Sequence, residues 1–378
     1  MSSRLVFFAS CAPGLEPVLH SEARELKLSR VERQVGGIYF EGTMHDAWRA
    51  NMWLRTAVRV FMRVARFHAN DANQLYKGAL DVDWSRFVSP EGTLVVDSQS
   101  RDSELFHTHF IQQRVKDAVV DQFRRSSGVR PTVDVDNPDL RIHAHLYNDR
   151  VTLSVDTSGG SLHKRGWRKY QGIAPIAETL AAALVLMSDW DRRSPFIDPF
   201  CGSGTLPIEA AMIAANVAPG SWRKFGFENW PGHDAAAFER YRVQELNRRA
   251  WPKKLQVRGS DLSAKQVAGA RENGESAGFE EQLQWDTLDA LEFEAKPGWN
   301  AWIVTNPPYG LRVGDEEELE PLYRDFGQRL FESCEGYQLA MILGNPKLRR
   351  ALGLPDGDRK PVQNGTIPCE FFRIQLGS

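Results

Sequence analysis

Cysteine is scarce in this chain. Four thiols, Cys11, Cys201, Cys334 and Cys369, stand far apart in 378 residues. None forms a Cys-x-x-Cys pair, so neither a zinc knuckle nor a disulfide framework is expected, and the usage fits a reducing cytoplasm. Long apolar runs are missing as well. The two longest, near Ala174–Trp190 and Leu206–Ala218, are interrupted by Glu178 and Glu209. A bilayer span needs about 18 apolar residues in succession, so no membrane partner is expected. The first residues, MSSRLVFFASCAPGLEP, meet Pro13 and Glu16 too soon for a good secretory signal, and Leu5–Ala9 reads better as a strand. Three loop motifs are also absent. There is no Gly-x-Ser-x-Gly elbow and no Gly-Lys-Ser/Thr of a P-loop, and the third glycine of a dinucleotide loop falls on Pro207. These absences disfavour a serine hydrolase, a P-loop NTPase and a nicotinamide-type dinucleotide site. The pairs His107/His109 and His143/His145 have no cysteine or carboxylate cluster beside them, so no metal site is read there.

Charge is nearly balanced overall, at −2, but not along the chain. Residues 1–172 carry 24 Lys and Arg against 20 Asp and Glu, and the remainder 23 against 29. The densest basic stretch, His163–Tyr170, packs Lys164, Arg165, Arg168 and Lys169 around Trp167 and Tyr170. Cations interleaved with aromatics suit phosphates and bases together, and Lys164, Arg165, Trp167, Arg168 and Lys169 are expected at an RNA entrance.

With 42% hydrophobic and 25% charged residues, the composition is that of an ordinary globular protein, and the length suggests two or three domains. Residues 1–51 read as a small βαβ-type start: the strand Leu5–Ala9, the helix Leu15–Leu26 and the strand VGGIYFEG. Residues 52–162 read as α+β. LRTAVRVFMRVARF is a strand with Arg55, Arg59, Arg63 and Arg66 outside, followed by a strand at Leu94–Ser98 and a helix at Phe110–Ser126. IHAHLYN and VTLSVDTSGG then pair about Asn148-Asp149. Residues 163–173 form the basic linker. Residues 174–378 alternate strand and helix, which implies a parallel sheet covered by helices. Strands are expected at Pro195–Asp198, Leu255–Gly259, Leu283–Trp285, Ala301–Thr305 and Gln338–Leu343. Helices are expected at Leu206–Asn216, Ala264–Ala277 and Glu317–Ser333. Asp358–Asn364 and Ile367–Gln375 close the chain as an antiparallel hairpin. Ala218–Pro252 is an insertion.

Four strand ends carry the chemistry. The first runs Asp198-Pro199-Phe200-Cys201-Gly202-Ser203-Gly204-Thr205 between a strand and a helix. Its glycines permit a tight turn and close approach of backbone to a ligand, while Asp198 can meet a cation. The second is Asp261-Leu262, where the acid can accept from ribose hydroxyls; Ser263 is free to cap the next helix. The third is Asp286, able to accept from an adenine amino group. The fourth, Asn306-Pro307-Pro308-Tyr309, is the most informative. Two prolines remove backbone donors and stiffen the corner, leaving acceptor oxygens at Asn306 and Pro307 beside the flat face of Tyr309. Such a corner suits a planar base with an exocyclic NH2.

Asp198–Thr205 together with Asn306–Tyr309 resembles the class I S-adenosylmethionine-dependent amino-methyltransferases. Longer stretches sharpen the resemblance: DTSGGSLHKRGWR from Asp156, APIAETLAAA from Ala174, and Ile208-Glu-Ala-Ala. Together they look like the THUMP-containing RNA guanine-N2 methyltransferases over nearly the whole chain. Lys116-Asp117-Ala118 and Arg130-Pro131 also match that pattern. The resemblance implies a Rossmann-like methyltransferase domain at 174–378, in a form with one such domain, preceded by a ferredoxin-like part at 1–51 and a THUMP RNA-binding domain at 52–162. It implies S-adenosylmethionine as cofactor, held by Asp198, Phe200, Gly202, Ser203, Gly204 and Thr205 at the methionine end. Asp261 and Leu262 would take the ribose, Asp286 the adenine, and Asn306 would border the donor. Asn306, Pro307, Pro308 and Tyr309 would be catalytic, and structured RNA, most readily 23S rRNA, the substrate. The rivals are a tRNA guanine-N2 enzyme, an adenine-N6 or cytosine-N4 methyltransferase, and a non-catalytic RNA-binding assembly factor.

Overall fold

The computed structural model describes residues 4–172, 175–310 and 315–377, so Ala174, where the last region is expected to begin, lies outside the described residues. The chain divides into two compact units. One comprises Met1–Ser10, His20–Leu162 and Arg223–Val243; the other comprises Cys11–Leu19, His163–Trp222 and Gln244–Ser378.

The elements through residue 162 are β1 (Leu5–Ser10), α1 (Glu16–Glu25), β2 (Ser29–Gln34), β3 (Gly37–Gly42), α2 (Met44–Trp53), β4 (Arg59–His68), α3 (Ala72–Leu80), β5 (Thr93–Arg101), α4 (Thr108–Ser127), β6 (Thr132–Val133), β7 (Leu140–Tyr147) and β8 (Arg150–Asp156). The eight strands form one sheet in the order β2-β3-β1-β4-β8-β7-β5-β6. The strand VGGIYFEG of the expected βαβ-type start is β3, which pairs antiparallel with β1; β2, whose SRVERQ carries no apolar alternation, pairs antiparallel with the other side of β3 and so runs parallel to β1, which makes β1-α1-β2 a split βαβ unit. One sheet face is apolar. Phe7, Ala9, Ile38, Phe40, Leu140, Ile142, Ala144 and Leu146 are fully buried there, as period-two alternation requires when helices cover one side. The β7–β8 turn sits where Asn148 and Asp149 can adopt positive φ, 47° and 56°, the backbone of a tight hairpin. Arg55 is not outside. It precedes β4 and is buried, its backbone N–H donating to the buried carboxylate of Glu22 at 2.8 Å. Much of the insertion joins this unit: Phe227 and Phe238 pack edge to face at 4.9 Å, and Trp48 lies 5.3 Å from Phe238.

The other elements are α5 (Glu178–Met187), β9 (Phe196–Asp198), α6 (Thr205–Ala214), α7 (Ala235–Leu246), β10 (Val257–Asp261), α8 (Ala264–Ser276), β11 (Leu283–Thr287), β12 (Trp302–Thr305), α9 (Asp315–Ser333), β13 (Gln338–Leu343), α10 (Pro346–Ala351), β14 (Asp358–Asn364) and β15 (Ile367–Gln375). The seven-stranded sheet has the order β11-β10-β9-β12-β13-β15-β14. β9 to β13 are parallel, and β15 and β14 return antiparallel. Tyr323, Phe326 and Leu330, spaced on one face of α9, bury against Ile197, Ile303, Leu339 and Met341 of the central strands. The strand order reverses between β9 and β12. Loops leaving these two strands diverge and open a crevice at their carboxyl ends. Among the described residues, no helix is long and apolar enough to cross a membrane.

Candidate active site

The crevice is a cavity of about 610 Å³, within the usual range for a small-molecule site. It is walled by the ends of β9, β10 and β12 and by the β14–β15 hairpin. Asp198 closes β9 and is 1% exposed. Its Oδ1 accepts from the Thr305 hydroxyl at 2.6 Å and from the Phe200 N–H at 3.2 Å. Burial outweighs these bonds and, with the neighbouring charge of Asp261, pushes its pKa up to about 7. A cation arriving here would find a carboxyl ready to ionise in its favour. The Cys201 thiol is also buried, and desolvation beside Asp198 and Asp261 raises it well above the ordinary range. It is no thiolate nucleophile.

The loop after Asp198 has φ of 52° at Gly202 and 82° at Gly204. The two glycines have different reasons. A Cβ on Gly202 would meet nothing within 4 Å, because its backbone faces the cavity. A Cβ on Gly204 would lie 2.7 Å from the Trp285 ring. Gly204, read from the sequence as a ligand contact, does not line the cavity; it lets α6 pack on β11. Phe200, Ser203, Thr205, Asp261 and Leu262 do line it. Asp261 also steadies the loop, its Oδ2 accepting from the Gly202 N–H at 3.0 Å and its Oδ1 from the Ser263 N–H at 2.9 Å.

Asp286, expected at the adenine, does not line the cavity. It projects from β11 towards a separate depression with Arg258 and Arg271, while Asp289 lines the cavity three residues later. The Asp289 carboxylate accepts from the Leu291 N–H at 2.9 Å, capping a short turn. Asp-Ala-Leu-Glu was a legible cap signal; that the acid of this cap lines the cavity was not.

At the end of β12, Asn306, Pro307, Pro308 and Tyr309 all line the cavity. The Asn306 side-chain oxygen is buried and has no hydrogen-bond partner among the described residues. The Pro308 carbonyl accepts from the Tyr323 hydroxyl at 3.0 Å, which braces the corner from α9. Tyr309 lies against Gly344, where a Cβ would stand 2.4 Å from its ring, and its hydroxyl accepts from the Asn364 amide. Burial raises the Tyr309 phenol further above its ordinary value, so it stays neutral.

The linker is the main correction. Arg165 is 1% exposed and ion-paired with Glu209 at 3.0 Å, and Trp167 is fully buried. Neither can meet RNA. Arg168 turns inward too. Its guanidinium donates to Glu178 Oε1 at 2.7 Å, Ser203 Oγ at 3.0 Å, Thr205 Oγ1 at 2.9 Å and the Ile176 carbonyl at 3.3 Å. Asn273, which sequence reading missed, is buried in α8. It accepts from the Lys169 and Tyr170 N–H groups and donates to the Tyr170 and Ser203 carbonyls, all within 2.7–2.9 Å. The linker is a brace for the glycine loop. A basic, aromatic stretch of eight residues reads as a surface until tertiary contacts show carboxylates waiting for its arginines.

Comparisons with known proteins bear on this site. Residues 165–372 match a family described as "RMKL-like, methyltransferase domain", residues 69–156 a THUMP domain and residues 6–61 an RlmL ferredoxin-like domain. A curated relative, the ribosomal RNA large subunit methyltransferase K/L of Syntrophotalea carbinolica, is 38% identical over 386 residues, covering 100% of this chain and 54% of the relative. The chain thus spans about half the length of the curated relatives it matches. Among solved structures, SMU.472, described as a putative methyltransferase complexed with SAH, is 30% identical with a TM-score of 0.90, covering 100% of this chain and 99% of its own. A protein from Listeria monocytogenes, described as a predicted N6-adenine-specific DNA methylase, is 30% identical with a TM-score of 0.89, covering 99% and 97%.

Proposed function

This chain belongs to the RMKL-like methyltransferase family, and from that premise we propose that it methylates the exocyclic N2 amine of a guanosine in large-subunit ribosomal RNA. The observation that carries the reading is the Asn306 side-chain oxygen, a buried acceptor with no donor among the described residues, at the rim of the crevice. Leaving such a group unpaired costs about 1–3 kcal/mol. An incoming amine N–H removes that cost.

The residues present fit S-adenosylmethionine, which supplies an electrophilic methyl on a sulfonium when bound. The open space before Gly202 admits a ligand against the loop backbone. Asp198, with its pKa near 7, answers a positive charge at the methionine end. Asp261 stands at the end of β10, where a ribose would lie, and Asp289, rather than Asp286, offers an acceptor for the adenine edge. Asn306 and the Pro307 carbonyl orient the amine by accepting its N–H bonds, and the same oxygens stabilise charge developing on nitrogen. Tyr309 offers a face to the target base once it has left its stack. No strong general base is needed, because the methylated amine is acidic enough to lose its proton to water.

The test is transfer of labelled methyl to undermodified 23S rRNA, followed by digestion and mass identification of the nucleoside. N2-methylguanosine supports the reading; N6-methyladenosine replaces its substrate half. Asn306→Ala should abolish transfer and leave cofactor affinity within a few fold. Full activity in that variant would refute the assignment.

A further inference from the structure

The face of the eight-stranded sheet opposite the buried apolar one carries side chains that are not those of an idle surface. Opposed residues of neighbouring strands share a face. His143, His145 and Tyr147 of β7 stand opposite Ser154, Thr152 and Arg150 of β8. On the far side of β8, Ser154 and Thr152 pair with Arg63 and Arg66 of β4. Arg63 and Arg66 are three apart and would point to opposite faces of a regular strand. The register shift between Arg63 and Ala65 inserts one residue and returns Arg66 to the side of Arg63. The result is a set of cross-strand rows, Tyr147–Arg150, His145–Thr152–Arg66 and His143–Ser154–Arg63, about 7 Å apart.

These rows and the neighbouring β2 and β3 line a groove of about 490 Å³. Its charged lining is Arg30, Arg63, Arg66 and Arg150 against Glu32 and Glu41. Arg30 is paired with Glu41 at 3.2 Å. Arg63, Arg66 and Arg150 have no ion-pair partner among the described residues, so the groove keeps an excess of positive charge. Desolvation lowers the pKa of the exposed His145, and Tyr147 is 46% exposed, so two aromatic faces stand beside these guanidinium groups.

We propose that this face binds an unpaired segment of the RNA substrate, Arg63, Arg66 and Arg150 taking its phosphates and Tyr147 stacking a base. Duplex RNA hides its base faces, so an exposed stacking plate beside phosphate-binding cations favours a single strand. The inference rests on the RNA reading above only for the identity of the polymer. It also moves the expected contact away from Arg165 and Trp167, which are buried, while Lys164 and Lys169 of the linker are exposed.

The test uses the full chain and fluorescence anisotropy with an unstructured RNA dodecamer and a duplex of the same length. In the triple variant Arg63→Ala/Arg66→Ala/Arg150→Ala the slope of log affinity against log salt should fall by about 2, since each single-strand phosphate contact contributes about 0.7. Tyr147→Ala should weaken dodecamer binding roughly tenfold with the slope unchanged. S-adenosylmethionine affinity, the control for folding, should be unaltered in both. A triple variant that binds the dodecamer with wild-type affinity and slope overturns the proposal, as does tighter binding of the duplex. A wild-type chain that binds RNA through this face yet transfers no methyl supports this proposal and sinks only the functional one.

Discussion

Gly202 and Gly204 are two residues apart, both at positive φ, yet alanine should fail at each for a different reason. At Gly204, φ is 82° and an added Cβ would lie 2.7 Å from Trp285 Cη2 and 3.0 Å from the Ala270 methyl. Trp285 is 8% and Ala270 0% exposed, so neither has room to withdraw. A left-handed backbone costs a non-glycine residue roughly 1–2 kcal/mol. Overpacking a dense core adds about 1–3 kcal/mol. Gly204→Ala should therefore lose about 2–5 kcal/mol, a large part of the ~5–15 kcal/mol that holds a typical domain. At Gly202 the same substitution carries only the backbone cost of roughly 1–2 kcal/mol, because its Cβ meets nothing within 4 Å. That empty space is the cavity, so Gly202→Ala should cost cofactor affinity at least tenfold. Urea unfolding with a shared m-value, beside calorimetric titration of S-adenosylmethionine, separates the two effects. Equal stability losses in the two variants, or unchanged affinity in Gly202→Ala, would refute the reasoning.

Two further outcomes follow from buried charge. The folded-state pKa of Asp198 is raised to about 7 from an ordinary value of 3.8, so the folded chain holds that proton more tightly than the unfolded chain. Its contribution to stability is present in full below about pH 4 and is lost as pH rises through 7. The urea midpoint of wild type relative to Asp198→Asn should fall between pH 5 and pH 8; a difference that stays constant across that window removes Asp198 as the titrating group. Arg168→Ala leaves the Glu178 carboxylate, 4% exposed, without its cation. Breaking a buried pair from one side costs about 3–5 kcal/mol, whereas Arg168→Met with Glu178→Leu should recover most of it. A single substitution with a wild-type urea midpoint contradicts the brace assigned to the linker.

Local pattern carried much of the catalytic unit. The sequence reading placed β13 at Gln338–Leu343 and the hairpin at Asp358–Asn364 and Ile367–Gln375, and the structure has the same bounds. Apolar continuity and a glycine turn are local properties, and these elements have no competing use for their residues. The crevice was legible for the same reason: strand-ending acids and stiff or flexible corners must sit where parallel strands end. Where local pattern was weak the reading failed. β2 shows no alternation, α2 interrupts its apolar residues with His45, Asp46, Arg49 and Asn51, and α3 is short with Leu75 and Ala79 as its buried residues.

Sequence by itself determined that strands and helices alternate in the second half, that glycines follow β9, and that an asparagine and two prolines close β12. Those are statements about neighbours in the chain. Only tertiary structure decided which acid reaches the cavity, Asp289 and not Asp286, and which cations face water. Arg165 is buried and Arg168 turns inward because Glu209, 44 residues on, and Glu178, 10 residues on, offer them carboxylates. Arg63 and Arg66 stand together because one bulged residue in β4 reverses the parity of the strand. A charge is cheap at the surface and costly inside unless it is paired. Its place therefore depends on partners that local sequence does not reveal.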